Sequence, residues 1–336
     1  MRKKVCMIYT GGTIGMVPTE SGFAPKKGYF AGELAKIADL KDPSMPEFDL
    51  IEYDPLLDSS NITFEQWNQM ASTIKEHYDE YDGFVILHGT DTMAYSASAL
   101  SFMLENLDKP VIFTGSQIPM CNLRSDGKDN IITSLLIAAS GRVHEVALFF
   151  GHSLIRGNRA MKMSSDGLIA FESPNYPPLA TVGIDIEYHE SRLLPHPKGR
   201  FRVHFIKPVR MAVIKLFPGI QFDLFAPIVS ENIDALILET FGTGNIPNYA
   251  NSLPPLIEKA IENGTSVIVC TQCPQGTVRL GAYEVSSSLE KAGAASGYNM
   301  TTEAAVAKIC YLVSRGIERH LIASYMEDDL RGELDH

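Results

Sequence analysis

The chain has 336 residues, of which 45% are hydrophobic and 21% are charged. This composition is ordinary for a globular protein and excludes disorder, collagen and a long coiled coil, while the length favours two domains. Acidic residues outnumber basic ones by 40 to 29, which gives a net charge of −11 at pH 7. Because such a chain repels a phosphate backbone on average, we expect a small-molecule substrate rather than nucleic acid.

The lack of a recognisable targeting signal and the pattern of cysteines indicate a cytoplasmic protein. The basic start Arg2-Lys3-Lys4 is followed by an apolar run over residues 5–9 only, too short for a secretory leader. No apolar run reaches the ~18–20 residues of a membrane helix, so no membrane partner is expected. The five cysteines are odd in number and scattered, unlike an extracellular disulfide framework. Cys270 and Cys273 form a C-x-x-C, which we interpret as two thiols around a strand end rather than a metal site.

Short apolar runs alternate with helical patterns through the first half of the chain, which predicts a parallel sheet flanked by helices. In chain order, buried strands are predicted at residues 5–9, 50–53, 84–87, 111–113 and 146–150. A helix is predicted from Trp67 to Tyr78, where apolar residues recur on one helical face, and Thr63 with Gln66 forms a capping box at its start. A second helix is predicted after Asp126.

The second half repeats the α/β pattern after an interruption. From about residue 188 to 208, proline, histidine and basic residues occur without periodicity, as in a linker. Strand patterns resume at 211–216, 235–238 and 266–271, with helices near 254–262 and 301–314. We therefore predict two α/β domains. The larger N-terminal catalytic domain, 1–188, has a mostly parallel sheet with flanking helices, a linker covers 189–210, and a smaller parallel-sheet domain covers 211–336.

Small hydroxyl residues and glycines follow four of the predicted strands, in the segments 10–15 (TGGTIG), 58–60 (DSS), 88–92 (HGTDT) and 114–117 (TGSQ). The carboxyl ends of parallel strands form the ligand crevice of open sheets, and glycine there lets backbone N–H groups approach a ligand. Turn and capping chemistry is the plainer interpretation of any one loop, but four together favour a binding site. Thr10 stands where the dinucleotide fingerprint G-x-G-x-x-G begins with glycine, so NAD binding is not predicted.

A family resemblance rests on these segments. Residues 9–15 (YTGGTIG) and 88–93 (HGTDTM) resemble the two signature motifs of the L-asparaginases, with residues 58–60 and Lys162 in the family's order. The resemblance runs over nearly the whole chain. Within the family, the chain is more similar to the cytoplasmic, type I bacterial enzymes than to the secreted ones. It implies hydrolysis of L-asparagine to L-aspartate and ammonia, in asparagine catabolism, with a threonine nucleophile and with neither cofactor nor metal.

The resemblance also implies the catalytic residues. Thr13 would be the nucleophile, and Thr90, Asp91 and Lys162 would form a second relay, with Lys162 buried beside the other two. The relay would supply the base that an attacking hydroxyl needs, and the Thr90 backbone N–H would help stabilise the oxyanion. Taken alone, a lysine in this position is more typical of a solvated surface charge.

For substrate binding, the resemblance implies that Asp91 contacts the substrate ammonium. Asp58, Ser59 and Ser60 would line the site, with Ser59 and its loop amides at the α-carboxylate. Asn245 lies in the segment 242–245 (GTGN), a loop that in similar enzymes reaches into a neighbouring subunit's active site. This implies a homo-oligomer, a dimer or a dimer of dimers. A glycine-rich turn at a strand end is the alternative interpretation of the Asn245 loop.

One position departs from the family pattern. Family members usually carry a tyrosine in the flexible loop after the first motif, where it activates the first threonine, and here that position is Phe23. A phenyl ring cannot exchange a proton, so either another group, Tyr29 or the Lys162–Thr90 relay, serves instead or this loop does not align with the family loop at Phe23. Packing near a helix start is the plainer interpretation of Tyr29. His88, beside the second motif, is interpreted as a packed residue at a strand end rather than a ligand.

Two other functions stay open at this point. A subunit of a tRNA-dependent amidotransferase uses similar motifs, but we expect such a subunit to carry an extra N-terminal domain and to be less acidic. A non-catalytic amino-acid sensor could use the same crevice. The motifs alone do not separate asparagine from glutamine as the preferred substrate.

Overall fold

A computed structural model describes residues 2–20, 22–230, 233–247, 253–281 and 284–336. The chain divides into two compact units, Met1–Val203 and His204–His336. This division falls within the segment 189–210, which also contains a 3-10 turn at Glu190–Arg192 and a short strand at Arg202–Val203. The boundaries at 188 and 211 stay a prediction.

The first unit is built from fourteen strands and four helices among the described residues. The strands are β1 Lys4–Gly11, β2 Met16–Thr19, β3 Gly22–Pro25, β4 Glu47–Leu57, β5 Gly83–Leu87, β6 Leu104–Glu105, β7 Val111–Thr114, β8 Val146–Phe150, β9 Ser153–Arg156, β10 Met161–Lys162, β11 Phe171–Glu172, β12 Ala180–Val182, β13 Ile186–Tyr188 and β14 Arg202–Val203. The helices are α1 Tyr29–Leu34, α2 Phe64–Glu76, α3 Met93–Met103 and α4 Gly127–Ala139.

An eight-stranded sheet organises this unit, in the order β13-β12-β9-β8-β7-β5-β1-β4. Strands β4, β1, β5, β7 and β8 are parallel neighbours, and every residue of β5 and β8 is buried, as expected of strands covered on both faces. Antiparallel pairing adds β9, β12 and β13 at one edge. The prediction of a mostly parallel sheet is confirmed. The sequence did not predict the antiparallel edge, because its three strands are short and weakly patterned.

Both predicted helices of the first unit are confirmed. Helix α2 begins with the predicted capping box, in which the Thr63 hydroxyl accepts from the Glu65 N–H at 3.3 Å and Gln66 Oε1 accepts from the Thr63 N–H at 2.9 Å. Its buried face includes Trp67 and Ile74. Helix α4 follows Asp126, and its residues pack with β1, β5 and β7 in one hydrophobic core.

The second unit is a smaller parallel-sheet structure. Its strands, β15 Met211–Lys215, β16 Ala235–Thr240, β17 Ser266–Thr271 and β18 Ala295–Ser296, are parallel neighbours in that order. Its helices are α5 Ala226–Ser230, α6 Leu253–Glu262, α7 Glu284–Lys291, α8 Thr302–Ser314 and α9 Arg319–Glu327. A fully buried ion pair, Lys308 Nζ to Glu333 Oε1 at 2.6 Å, ties α8 to the chain end. No helix in the described part of either unit has the length and hydropathy needed to cross a membrane.

Candidate functional site

Glycines bring the ends of β1, β4 and β5 into direct contact. A Cβ added to Gly11 would lie 2.2 Å from the Leu57 carbonyl oxygen, and one on Gly12 would lie 2.5 Å from Gly89 Cα. A Cβ on Gly89 would in turn lie 2.4 Å from Ser59 Oγ. Gly11 and Gly12 also have φ values of +133° and +90°, which side chains rarely adopt. Three of the four segments predicted to share one sheet edge therefore touch there.

Thr13 lies in a single 3-10 turn, Thr13–Gly15, directly after this contact. The Gly15 N–H donates to the Gly12 carbonyl at 3.3 Å, which closes the turn, and Thr13 is half-buried. Tyr9 supports the turn from inside, since a Cβ on Gly15 would lie 2.0 Å from its hydroxyl oxygen. That hydroxyl is buried without a partner among the described residues, and burial raises the pKa of Tyr9. Tyr9 therefore supports the turn as a neutral, packed side chain.

The segment 58–60 forms the second wall. The exposed Asp58 side chain accepts from the Ser60 N–H at 3.0 Å and so caps its own turn, Ser59–Asn61. Ser59 is buried, and its carbonyl accepts from Thr92 Oγ1 at 2.7 Å. This bond fixes the Ser59 backbone to the loop that carries Thr90.

Lys162, at the end of β10, meets the β5 loop. Its ammonium donates to Thr90 Oγ1 at 2.9 Å and to Asp91 Oδ1 at 2.7 Å. Thr90 is buried and the Lys162 side chain is 20% exposed, whereas the Asp91 side chain is 65% exposed. The expectation that Lys162 and Asp91 are buried together is therefore wrong, because the Asp91 side chain is mostly exposed to solvent and Lys162 is only half-buried. The second carboxylate oxygen of Asp91 has no partner among the described residues, which leaves it free for a ligand.

Gln117 completes this cluster, although no sequence pattern or motif predicts a function for its side chain. Its Oε1 accepts from the Thr90 hydroxyl at 3.2 Å, and its Nε2 donates to the Gly167 carbonyl at 3.1 Å. Its backbone N–H donates to both Asp126 carboxylate oxygens, at 3.1 and 3.0 Å. Its position in the sequence is the signal that indicates a role at the site, because Gln117 follows the fourth of the strands whose ends carry the candidate segments.

His88 is a structural residue, as the sequence indicated. Its Nδ1 lies 2.7 Å from the Gly89 carbonyl oxygen, and its Nε2 lies 3.0 Å from Ser96 Oγ, which accepts from Trp67 Nε1 at 3.0 Å. Burial lowers the pKa of His88 to about 4, so the ring is neutral near pH 7. With Nδ1 as the donor, every polar atom in this chain of bonds is satisfied, and the ring holds the β5 loop in place.

The segment after Thr13–Gly15 is a two-stranded hairpin of β2 and β3, in which Phe23 pairs with Pro18. The Phe23 residue is 49% exposed. Tyr29 is the first residue of α1, in agreement with the interpretation that it packs near a helix start, and it is half-buried. Partial desolvation and a hydrogen bond with Glu33 raise the pKa of Tyr29, which makes its phenolate rarer. The group that replaces the family's lid tyrosine stays a prediction.

Asn245 belongs to the second unit, where it closes a tight turn at the end of β16. Its N–H donates to the Phe241 carbonyl at 2.8 Å, and the Phe241 N–H donates back at 2.9 Å. Gly242 and Gly244 have φ values of +49° and +117°, so the turn depends on glycine. The role of Asn245 in substrate binding stays a prediction.

The cysteines and acidic residues show neither a metal centre nor a redox pair in the described ranges. No group of three or more His, Cys, Asp or Glu side chains there is arranged to hold a metal ion. Cys270 is buried in β17 and Cys273 is exposed beyond it, and both are free thiols. Burial raises the pKa of Cys270 to about 12, so its thiol is unreactive near pH 7.

Comparison with known proteins gives consistent matches over both units. The family model described as "Asparaginase, N-terminal" matches residues 4–194, and the one described as "Glutaminase/Asparaginase C-terminal domain" matches residues 210–326. The chain is 46% identical to L-asparaginase 1 of Escherichia coli strain K12, over 99% of this chain and 98% of that protein. It is also similar to the crystal structure of L-asparaginase I from Vibrio cholerae, with a TM-score of 0.93, 45% identity and full coverage of both chains. The thermostable L-asparaginase from Thermococcus kodakarensis matches with a TM-score of 0.90 and 30% identity, over 99% of each chain.

Proposed function

The chain belongs to the asparaginase family, and on this premise we propose that it hydrolyses the side-chain amide of L-asparagine to L-aspartate and ammonia. The observation that carries the proposal is the hydrogen-bonded cluster of Lys162, Thr90 and Asp91 next to the Gly12–Gly89 contact. That contact places the loops of Thr13 and Thr90 side by side. The Thr13 hydroxyl supplies the nucleophile, Thr90 with Lys162 supplies the base, and the Asp91 carboxylate supplies a negative charge for the substrate.

Substrate binding follows from the distribution of charge around the cluster. An amino acid is a zwitterion, so its site needs one anionic contact and one contact rich in hydrogen-bond donors. The free oxygen of Asp91 supplies the first. Ser59, with its hydroxyl and its own backbone amide, supplies the second at the α-carboxylate, in a turn that Thr92 holds against the β5 loop.

In the first half of the reaction, Thr13 Oγ1 attacks the amide carbon, and its proton passes by way of Thr90 to Lys162, which acts here in its neutral form. The Thr90 backbone N–H stabilises the negative oxygen that forms on that carbon. The C–N bond then breaks, and the amide nitrogen takes this proton back from the relay and departs as ammonia. In the second half, the relay activates a water that cleaves the aspartyl ester, which releases aspartate and restores the Thr13 hydroxyl.

We further infer that the enzyme works in the cytoplasm as a homo-oligomer, a dimer or a dimer of dimers. The support is the family loop around Asn245, which in similar enzymes reaches into a neighbouring subunit's site. Dilution below the dissociation constant should then lower specific activity. Sedimentation of a fully active monomer would rule out the oligomer requirement.

The nucleophile is tested with Thr13→Val, which keeps the volume and removes the hydroxyl. We expect kcat for ammonia release from asparagine to fall by about 10³ or more, on the order of 4 kcal/mol, while the substrate still binds. Thr19→Val is the matched control, because the Thr19 hydroxyl bonds to the Gly22 carbonyl on the exposed hairpin. A Thr13→Val enzyme that keeps a tenth of the wild-type kcat contradicts the assignment. Glutamine and D-asparagine, run in the same assay, define the substrate preference.

A further inference from the structure

The orientation of the Gln117 carboxamide is determined by its two partners. The Gly167 carbonyl can only accept a hydrogen bond, so the Gln117 NH₂ group must face it, at 3.1 Å. The carboxamide oxygen then necessarily faces the Thr90 hydroxyl, at 3.2 Å. Gln117 therefore presents an acceptor, not a donor, to Thr90.

The acceptor at Gln117 decides where the single Thr90 hydroxyl hydrogen points. The Thr90 hydroxyl has one hydrogen and, among the described residues, two hydrogen-bonding neighbours, Lys162 Nζ at 2.9 Å and Gln117 Oε1 at 3.2 Å. When Lys162 is an ammonium ion it can only donate, so the Thr90 hydrogen must go to Gln117. When Lys162 is neutral, its lone pair can accept from Thr90 instead. Gln117 thus stabilises the arrangement in which the lysine is charged and Thr90 keeps its proton.

The Gln117 side chain is not needed to fold its own loop. The backbone N–H groups of Gln117 and Ile118 donate to the Asp126 carboxylate at 3.0–3.1 Å. Asn130 donates to the neighbouring Gly115 carbonyl at 2.9 Å. These bonds stay in place when the Gln117 side chain changes, so the carboxamide can be altered without removing the loop's main supports.

The charged groups around the relay are few among the described residues. Asp91 is the carboxylate paired with Lys162, at 2.7 Å. Glu172, on the strand paired with that of Lys162, stands opposite Met161 rather than Lys162. Asp166, in the following loop, accepts from Ser164 Oγ at 3.0 Å. A new charge at position 117 therefore acts on a relay that otherwise has one direct carboxylate partner.

We propose that Gln117 is a positioning residue for Thr90. In the resting enzyme its Oε1 accepts the hydrogen bond of the Thr90 hydroxyl, and this bond sets the pH range over which the relay works. The proposal rests on the proposed function. It also gives Gln117 a second task, because the Gly167 bond ties Thr90 to the loop that follows Lys162.

Two substitutions should move the pH–rate profile in opposite directions. Gln117→Leu removes the acceptor that favours the charged lysine. The rising limb of kcat should therefore shift to lower pH by about 0.7 unit, the equivalent of a hydrogen bond of about 1 kcal/mol. Gln117→Glu keeps an acceptor and adds a negative charge, so the same limb should shift to higher pH. Both variants should lose about tenfold in plateau kcat, since Thr90 is held less well, with KM within about threefold of wild type.

The test measures ammonia release from asparagine between pH 5 and pH 10 for both variants, together with thermal unfolding. Gln66→Leu is the matched control, because it removes a carboxamide whose bonds to the described residues all lie within the α2 capping box. It should lower stability without moving the limb. Opposite shifts for the leucine and glutamate variants support the proposal, whereas limbs that coincide with wild type overturn it. If the leucine variant does not fold, the direction of the glutamate shift decides alone. A wild-type enzyme that releases no ammonia would instead contradict the proposed function.

Discussion

Gly89→Ala tests the packing that assembles the site, because Gly89 separates the Thr90 loop from the Ser59 turn. Its backbone lies outside the left-handed region, so alanine brings no conformational strain. The new Cβ, however, would lie 2.4 Å from Ser59 Oγ and 2.7 Å from Ser59 Cβ. Rotating the hydroxyl relieves only the first contact. The Ser59 backbone must therefore move, and its bond from Thr92 Oγ1 at 2.7 Å resists that movement.

The size of the effect follows from these distances. Ordinary contacts begin near 3.4 Å, so Ser59 Cβ must move by 3.4 − 2.7 = 0.7 Å and Oγ by 3.4 − 2.4 = 1.0 Å. A misplacement of about 1 Å at a positioned group costs roughly 10²-fold in rate, and overpacking destabilises by about 1–3 kcal/mol. Since Ser59 is proposed to bind the α-carboxylate, we expect kcat/KM to fall about 100-fold, mainly through KM.

The assay is ammonia release over a range of asparagine concentrations, with thermal unfolding measured on the same preparations. Gly32→Ala is the matched control, since Gly32 lies in helix α1 and its Cβ would meet nothing within 4 Å. That variant should keep wild-type activity. If Gly89→Ala has the kcat/KM of Gly32→Ala, then the Ser59 turn does not position the substrate.

Three further predictions concern the relay, the lid and the buried histidine. Lys162→Met should fold yet lose most of its kcat across the whole pH range, unlike Lys198→Met at an exposed position; activity equal to wild type would remove Lys162 from the relay. Phe23→Tyr should raise kcat if this position faces the nucleophile. Tyr29→Phe with unchanged kcat eliminates Tyr29 as a base, whereas a loss of activity in this variant would make Tyr29 the base that deprotonates Thr13. Because burial lowers the pKa of His88 from 6.5 to about 4, the unfolded chain takes up a proton below pH 6.5 that the folded chain does not. Stability is therefore full above pH 6.5 and falls by about 3 kcal/mol towards pH 4. In denaturant unfolding at pH 7 and pH 4, His88→Gln should lack this part of the acid loss, and an unchanged difference would show that the ring is not held neutral.

The sequence alone determined the elements that build the site. Strands β1, β5, β7 and β8 are continuous apolar runs because both faces of a central parallel strand are buried. Helix α2 is readable from one apolar face and its capping box. Since parallel strands place their carboxyl ends at one edge, the pattern of strands and loops was sufficient to predict that the loops of Thr13, Ser59 and Thr90 lie side by side.

Sequence patterns did not predict which side chains meet across those loops, and the family resemblance implied only the cluster of Lys162, Thr90 and Asp91. Lys162 is 71 residues from Asp91, and Gln117 is 27 residues from Thr90. Neither contact has a periodic or capping signal, because it depends on the path of loops that leave separate strands. The exposure of Asp91 has the same origin, since burial is a property of neighbours that local sequence does not specify. The orientation of the Gln117 carboxamide was likewise set by the Gly167 carbonyl, an acceptor that only the folded chain brings within 3.1 Å.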